Sequence, residues 1–428
     1  MSDQGATSLL KQPQFPENLR FYFKNKNSNH IKEDQRELND LVRPRLKIAI
    51  VTETWPPEIN GVALSLLQLC KGLQAQGHKI LLIRPQQKNP CLSFKPYQEC
   101  LVVAQSIPRY PSLKFGWPQF LKVSGAIEGF EPDVVHIVTE GPLGLAALQA
   151  AKNKQIPISS GFHSAFQDFS RFFDLAFLLK PIQRYLCWFH NSTQLTCVPS
   201  EGTATLLQSL GVTCPTVVVG RGVDVDVFHP QHASIKLRQQ WRADEDTKVL
   251  LYVGRLSPEK ELHVLINAFI ACQDHQRASM CLVIVGDGPE REKLQRLAQG
   301  YRVIFMGSLS GVALSEAYAS ADVFVFPSQV ETFGNVVLEA MASGLPVVAY
   351  DNACAQQHVR LGRTGWLAGL GQLTQFSQLI EQLPTRTVLK SMGVQAQADV
   401  QHVGWRHPVQ QFEQALYRVA RRSLAPNE

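Results

Sequence analysis

Residues 47–83 read KIAIVTETWPPEINGVALSLLQLCKGLQAQGHKILLI, and this stretch decides the fold class. Its first six residues form an apolar run that is typical of a buried strand, and the prolines and the Asn-Gly pair that follow predict a loop. Residues 62–75 then repeat apolar side chains at helical spacing, Gly77 marks a helix end, and KILLI predicts a second strand. Strand, helix and strand in this order are the repeating unit of a parallel sheet.

The same alternation recurs along the chain and divides it into two halves. A second cycle begins with the apolar run KVLLYVGRL at 248–256. We therefore predict an α/β protein with two doubly wound, Rossmann-like domains that face each other across a cleft. The predicted segments are a poorly ordered N-terminal extension at 1–45, a first domain at 46–220, a linker at 221–234, a second domain at 235–405 and a C-terminal helix at 406–428.

Composition argues against several classes of protein. The 428 residues carry a formal net charge of +6 and no dense block of Lys and Arg, so we predict no nucleic-acid partner. The nine cysteines are scattered and form no CxxC pair, which is typical of reduced core residues in a cytoplasmic protein. The N-terminus lacks the apolar core of a signal peptide, and no apolar run approaches the ~20 residues that span a bilayer.

Two carboxylates flank the start of a predicted helix in the second domain. The stretch VETFGNVVLEAMASGLPVVA at 330–349 predicts a loop, a helix and a strand. The first amides of such a helix attract anions, and Gly334 lets a ligand approach the backbone. Glu331 on the loop and Glu339 on the helix flank this anion site, which suits a ligand with both phosphate and hydroxyl groups. The alternative is that Glu331 caps the helix and Glu339 faces solvent.

Two cations follow the first strand of the second domain. Arg255 and Lys260 lie five residues apart in VGRLSPEK, at the same edge of the predicted sheet as Glu331. The fork of an Arg and the compact charge of a Lys suit a diphosphate, although two solvated cations on a loop remain the alternative. We predict no metal site at Asp224 and Asp226, because they lie in the linker and the two cations already balance a diphosphate.

The first domain contributes two candidate residues at strand ends. Gly61 precedes a helix after the first strand, so its backbone can approach a phosphate or a sugar from across the cleft, and an ordinary helix start is the alternative. His163, in GFHSAF, ends another strand. This position favours a functional role over the structural role that most single histidines have.

Two aromatic stretches in the first domain also contain basic residues. RYPSLKFGWPQFLK at 109–122 and FQDFSRFFDLAFLLKPIQRYLCWFH at 166–190 interleave aromatic side chains with Lys and Arg. One interpretation is a buried helical core. The other is a surface that makes peripheral contact with an anionic membrane.

Together these motifs resemble the retaining GT-B glycosyltransferases of family four, also called glycosyl transferases group 1. The chain looks most similar to the branch of GDP-mannose-dependent alpha-mannosyltransferases and sulfoquinovosyl- and glucosyl-lipid synthases. GFHSAF departs from the more usual YHTNF of the family, and Gln356 and Gln357 stand where an acid is common. The matching pieces, in the expected order, are TETWPPEINGVALS, GFHSAF, RGVDVDVFHP, VGRLSPEK, VGDGPE and ETFGNVVLEAMASGLPVVA.

The resemblance implies a second domain that binds the nucleotide sugar. Arg255 and Lys260 would hold the donor diphosphate. Glu331 would contact hydroxyls of the donor sugar, and Glu339 would contact the nucleotide ribose. The remaining residues of this domain that the resemblance places at the donor, through their backbone, are Phe333, Gly334 and Asn335.

The resemblance also implies a first domain that binds the acceptor. There Gly61 would close over the donor, and His163 would lie beside the reacting sugar and the acceptor. The C-terminal helix would cross back onto this domain. The catalytic residues implied in this way are His163, Arg255, Lys260 and Glu331.

The function implied is transfer of a hexose, with mannose or glucose favoured, from a nucleotide diphosphate sugar to a lipid or glycan acceptor, with retention of configuration. The reaction would need no metal or other cofactor and would occur in the cytoplasm, with peripheral contact to the inner membrane face. Glu331→Ala is expected to abolish transfer and to leave the melting temperature nearly unchanged.

The alternatives are a nucleotide-sugar epimerase of the same architecture and a non-catalytic nucleotide-sugar-binding protein. A nicotinamide dehydrogenase is disfavoured, because Gly286 and Gly288 lack the third glycine of the dinucleotide fingerprint.

Overall fold

The computed structural model describes residues 44–58, 60–87, 93–107, 110–163, 179–274 and 279–422. Residues 46–428 form one compact unit. The predicted extension at 1–45 therefore lies outside the described residues except at its last two positions. The aromatic stretch predicted at 166–190 is described only from residue 179 onward.

The first half of this unit is built on a seven-stranded sheet in the order β3-β2-β1-β6-β7-β8-β9, and every pair of neighbours is parallel. A separate antiparallel pair, β4 and β5, follows the third strand. The strands are β1 (Lys47–Val51), β2 (Lys79–Pro85), β3 (Gln98–Val102), β4 (Ala104–Ile107), β5 (Tyr110–Gly116), β6 (Val134–Ile137), β7 (Ile158–Gly161), β8 (Leu195–Val198) and β9 (Thr216–Val218).

Helices cover both faces of this sheet. In the described residues of this half the helices are α1 (Gly61–Ala75), α2 (Phe120–Phe130), α3 (Pro142–Asn153), α4 (Leu179–Asn191) and α5 (Glu201–Ser209). Alternate residues of β1 point to opposite faces, so Ile48 and Ile50 join the core layer under α1, whereas Ala49 and Val51 join the layer under α2 and α3. A central strand that is apolar on both faces is what a doubly wound sheet requires.

The second half repeats this plan with six parallel strands in the order β12-β11-β10-β13-β14-β15. The strands are β10 (Lys248–Val253), β11 (Met280–Val285), β12 (Val303–Gly307), β13 (Val323–Phe326), β14 (Val347–Tyr350) and β15 (Gly365–Ala368). The helices are α6 (Ile235–Gln240), α7 (Leu262–Asp274), α8 (Arg291–Leu297), α9 (Gly311–Ser320), α10 (Asn335–Ala342), α11 (Ala353–His358), α12 (Leu373–Glu381), α13 (Arg386–Val400) and α14 (Arg406–Arg422). The prediction of two doubly wound α/β halves is confirmed.

The last helix, α14, returns to the first sheet. A Cβ atom at Gly72 of α1 would lie 2.3 Å from a methyl group of Val409, so α1 and α14 approach more closely than a larger residue permits. The Leu46 amide donates to His78 Nδ1, so the ring Nε2 of His78 donates a buried hydrogen bond to the Glu413 carboxylate (2.9 Å). The side chain of Gln411 accepts a hydrogen bond from the amide of Gly220 (2.9 Å), so α14 is fixed beside the end of the first sheet.

The apolar run LVVA at 101–104 predicts a strand of the parallel sheet, and these bounds are wrong. Gln98–Val102 is a strand of the parallel sheet, whereas Ala104–Ile107 pairs with Tyr110–Gly116 as a hairpin that was not predicted. Short strands with mixed side chains lack the alternation that identifies a strand from sequence, and for that reason β15 was missed as well.

Candidate functional site

The carboxyl ends of β10 and β13 bring two predicted residues into contact. These strands are parallel neighbours, so the turn after β10 and the loop after β13 meet at one edge of the sheet. The ammonium of Lys260 forms an ion pair with Glu331 Oε1, and the side chains are only 17% and 13% exposed. The hydroxyl of Ser328 donates to the same carboxylate oxygen (2.9 Å). The cation predicted for a diphosphate and the acid predicted for a sugar therefore share one cluster.

Arg255 is half-buried and lies between the end of β10 at Val253 and the short 3-10 turn Pro258–Lys260 that carries the lysine. The hydroxyl of Tyr252 donates to the backbone carbonyl of Arg255 (2.9 Å), which fixes the chain where it leaves β10. Among the described residues, none accepts a hydrogen bond from the Arg255 guanidinium or pairs with it. This side chain is therefore available to an anionic ligand.

The loop between Glu331 and α10 has the backbone geometry that its sequence predicts. Gly334 has φ +88°, in the left-handed region that favours glycine, and α10 begins at the next residue. A Cβ atom there would find its nearest neighbours at 3.7 Å, so backbone conformation and not lack of space requires the glycine. Phe333 is buried, and its carbonyl accepts from the amide of Cys354 (2.8 Å), which holds the loop against α11.

Glu339 is held by a hydrogen bond inside the second domain, which argues against the alternative of a plain solvent-facing acid. The hydroxyl of Tyr318 on α9 donates to Glu339 Oε2 (2.9 Å). Burial raises the pKa of Glu339 from 4.5 to about 7, and the hydrogen bond from Tyr318 partly offsets that rise. Part of the Glu339 side chain remains accessible, so the carboxylate can still meet a ligand.

The two halves touch beside this site. The side-chain amide of Asn335, the first residue of α10, donates to the hydroxyl of Ser65 on α1 (3.0 Å). Gly61 begins the same helix α1, is exposed, and has no atom within 4 Å of the position that a Cβ would take. The structure thus brings Asn335 and α1 together but leaves Gly61 open, so its role at the donor stays a prediction.

His163 lies at the end of β7, in the first half, and has a partner that the sequence analysis missed. A guanidinium nitrogen of Arg221 lies 3.0 Å from His163 Nδ1. Since arginine only donates, Nδ1 accepts and the ring proton is on Nε2. Burial, with the charge of Arg221 and the rings of His136 and His190, holds the pKa of His163 well below its usual value. His163 is therefore neutral at physiological pH.

A further acid, Glu53, stands at the carboxyl end of β1 in the first domain. Its Oε1 accepts from the amide of Leu143 at the start of α3 (2.8 Å), and its own amide donates to the Thr139 hydroxyl (3.0 Å). Burial raises the pKa of Glu53 to about 7; the Leu143 amide lowers it and nearby Glu140 adds to the rise. The sequence motif TETW contained this residue, but nothing in its spacing distinguishes it from a solvated acid.

The residues that sequence reasoning missed are partners of the predicted residues, and three of the four lie 21 or more residues from their partner in the chain. They are Ser65, Arg221, Tyr318 and Ser328, which contact Asn335, His163, Glu339 and Glu331. Arg221 and Ser328 follow the ends of β9 and β13, whereas Ser65 lies inside α1 and Tyr318 inside α9, where sequence offers no such signal.

Two family models match this chain. Residues 234–391 match the model described as glycosyl transferases group 1. Residues 59–227 match the model described as glycosyltransferase family 4. The matched regions contain every residue of the candidate site described above except Glu53.

The proteins that are similar to this chain over most of its length are also glycosyltransferases. A GDP-mannose-dependent alpha-mannosyltransferase of Mycolicibacterium smegmatis is 35% identical over 75% of this chain and 84% of its own length. A sulfoquinovosyl transferase of Arabidopsis thaliana is 28% identical over 89% of this chain and 75% of its own. Among solved structures, sucrose-phosphate synthase from Thermosynechococcus elongatus superimposes with a TM-score of 0.70 at 21% identity, over 87% of this chain and 98% of its own. That likeness concerns the fold, and it agrees with the GT-B architecture.

Proposed function

The chain belongs to the glycosyl transferases group 1, with a family 4 domain before the group 1 domain, and we propose that the site described above transfers a hexose from a nucleotide sugar. The chain is a hexosyltransferase of the GT-B fold. The epimerase and the non-catalytic binding protein are not favoured by these matches. We propose that the donor is GDP-mannose in the first instance, since a relative 35% identical to this chain is named for that donor, and that the acceptor is a lipid or a glycan.

The observation that carries the proposal is the cluster at the ends of β10 and β13. The Arg255 guanidinium has no partner among the described residues, and Lys260 faces one carboxylate, so a diphosphate beside them would meet two cations. The start of α10 adds outward-facing amides. Glu331, fixed by Lys260 and Ser328, then lies where it accepts hydrogen bonds from hydroxyls of the attached sugar.

The bond between the anomeric carbon and the diphosphate oxygen breaks as that carbon takes on positive charge. Its electron pair goes to the leaving phosphate, where Arg255, Lys260 and the helix amides stabilise the negative charge. The acceptor hydroxyl attacks from the face that the phosphate leaves, so configuration is retained, and its proton passes to the leaving phosphate. His163, neutral with its proton on Nε2, donates a hydrogen bond beside the reacting sugar.

The proposal needs no metal ion, because these cations and amides neutralise the leaving group. Transfer is therefore expected to persist when a chelator is present in excess.

We also propose peripheral contact with anionic lipid through the first domain. Trp117, Leu121 and Trp188 are 52%, 85% and 51% exposed, and the ammonium of Lys152 lies 5.6 Å from the centre of the Trp188 ring. None of the helices in the described part of the chain has the length and apolarity to cross a bilayer. Flotation with vesicles that contain phosphatidylglycerol tests this contact: Trp117→Ser with Leu121→Ser is expected to reduce binding, whereas Val312→Ser, an equally exposed residue of the second domain, is not.

Transfer itself is tested by incubating the protein with radiolabelled GDP-mannose and a membrane lipid extract. We expect a labelled lipid with wild type and none with Glu331→Gln. Label in water-soluble glycan instead would select the glycan acceptor. Label only from another nucleotide sugar would correct the donor and leave the reaction class unchanged.

A further inference from the structure

Tyr318 is a fully buried tyrosine whose hydroxyl reaches the candidate site. It lies on α9, in a layer behind α10, and its hydroxyl donates to Glu339 Oε2 (2.9 Å). No other hydrogen bond to the Glu339 carboxylate comes from the described residues. The protein therefore holds the Glu339 carboxylate through Oε2, and the orientation of Oε1 depends on this one hydrogen bond.

The direction of this hydroxyl is set by packing. The ring of Phe228, from the connector between the two halves, meets the Tyr318 ring edge-on at 5.6 Å and 86°. Phe324 of β13 contacts the same ring at 5.8 Å. A ring that is enclosed on two sides cannot swing away, so the hydroxyl holds the carboxylate at a defined angle.

The hydrogen bond also affects charge. Burial raises the pKa of Tyr318 well above its usual value, so its hydroxyl remains a donor at every physiological pH. That donor favours the charged form of Glu339, which burial disfavours. A carboxylate has about four acceptor positions, and Tyr318 occupies one, so at least two remain for a vicinal pair of hydroxyls.

We propose that Tyr318 is a positioning residue for nucleotide binding, whose hydroxyl fixes the Glu339 carboxylate so that it accepts the ribose hydroxyls of a nucleoside diphosphate. This inference rests on the proposed function, and it takes Glu339 as the residue that meets the ribose, as the family resemblance implies. It adds to that function a residue in a different helix, which does not itself contact the ligand.

The test compares ribose and dideoxyribose ligands by calorimetry on the full chain. GDP, UDP and ADP and their 2′,3′-dideoxy counterparts are titrated into wild type and Tyr318→Phe. For the nucleotide that wild type binds, Tyr318→Phe is expected to lower affinity about five- to tenfold. The dideoxy ligand, which lacks the groups that Glu339 accepts, is expected to bind both proteins equally.

Tyr350→Phe is the matched control. Tyr350 is also fully buried in the second domain, but its hydroxyl has no hydrogen-bond partner in the described part of the chain, so its loss is expected to leave both affinities unchanged. Should Tyr318→Phe not fold, Phe228→Leu keeps the hydroxyl and loosens the ring, and a smaller loss confined to the ribose ligand is expected.

The outcomes separate two failures. Absence of binding to wild type for all three nucleotides overturns the proposed function, and the inference with it. Binding that depends on ribose hydroxyls in wild type but is unchanged in Tyr318→Phe overturns the inference alone. An equal loss for the ribose and dideoxy ligands shows a general structural role and also overturns it.

Discussion

The ammonium of Lys260 and the carboxylate of Glu331 form an ion pair, although 71 residues separate them in the chain. Both side chains are mostly buried, so salt screens the pair less than it screens an exposed pair. A donor diphosphate beside Lys260 adds a second anion to the same cation. Recognition of the phosphate and orientation of the acid that meets the sugar are thereby linked through one side chain.

Removal of Lys260 is expected to weaken nucleotide binding. Lys260→Ala deletes one charge-assisted contact to the diphosphate, so affinity for a nucleoside diphosphate should fall about tenfold or more in calorimetry. Lys293→Ala is the control, because the Lys293 side chain on α8 is 67% exposed and pairs with Glu290, just before the helix. Equal affinities of wild type and Lys260→Ala would contradict the assignment.

Two substitutions at Glu331 are expected to differ in stability but not in transfer. Glu331→Gln retains an oxygen that accepts from Lys260 and Ser328, so its melting temperature should match wild type while transfer falls about a hundredfold or more. Glu331→Ala leaves the Lys260 ammonium without this partner and should cost about 1–3 kcal/mol in free energy of unfolding. From sequence alone, Glu331→Ala is expected to leave the melting temperature nearly unchanged; the contact with Lys260 instead predicts a lower melting temperature for this variant. Normal transfer by either folded variant would refute the role of this acid.

Nucleotide affinity is expected to rise with pH around neutrality. The Glu339 carboxylate, with a pKa of about 7, accepts hydrogen bonds from ribose best when it is charged, so affinity should increase from about pH 6 to about pH 8. The titratable groups that face it are Tyr318 and Cys354, and burial raises the pKa of both, so neither changes charge in this range. Glu339→Gln should bind more weakly and lose this dependence. A pH profile of Glu339→Gln identical to that of wild type would show that another group is responsible.

Glu53 is expected to lower stability at neutral and alkaline pH. Its pKa is about 7 in the folded protein against 4.5 unfolded, so the folded state binds more protons between these values and stability falls as pH rises through this range. Glu53→Gln keeps an oxygen for the Leu143 amide and removes the charge. Thermal unfolding should therefore show a gain in melting temperature at about pH 8 and little change at about pH 4. A gain of equal size at both would contradict the assigned pKa.

The contact between α1 and α14 is expected to tolerate no added methyl group. In Gly72→Ala the new Cβ would overlap Val409, and such overpacking typically costs about 1–3 kcal/mol, measurable by urea unfolding. Gly125→Ala, in α2, meets no atom within 4 Å and should be neutral or slightly stabilising. If both variants unfold alike, α14 does not pack on α1 as described.

Local sequence was sufficient for the fold and for the backbone of the site. Apolar runs placed β1, β10 and β13 because buried parallel strands are apolar on both faces, and Gly334 marked the start of α10 because few other residues adopt its backbone conformation. Parallel-strand topology then placed Lys260 and Glu331 at one edge.

Partners across the chain were not predictable in the same way. The Arg221 contact to His163 depends on how β7 lies against the segment after β9, and the Tyr318 contact to Glu339 depends on how α9 packs behind α10. Neither spacing nor composition encodes such distances. The raised pKa values of Glu53 and Glu339 were not predictable from sequence either, because they result from burial, which only the packed structure determines.

The most direct test of the central claim, a nucleoside diphosphate held by Arg255 and Lys260, is calorimetric titration of UDP, GDP and ADP into wild type and Arg255→Ala. We predict saturable binding of one nucleotide, with GDP favoured, and a loss of about tenfold or more in the variant. Absence of binding of all three to folded wild type, or equal affinity in Arg255→Ala, would contradict it.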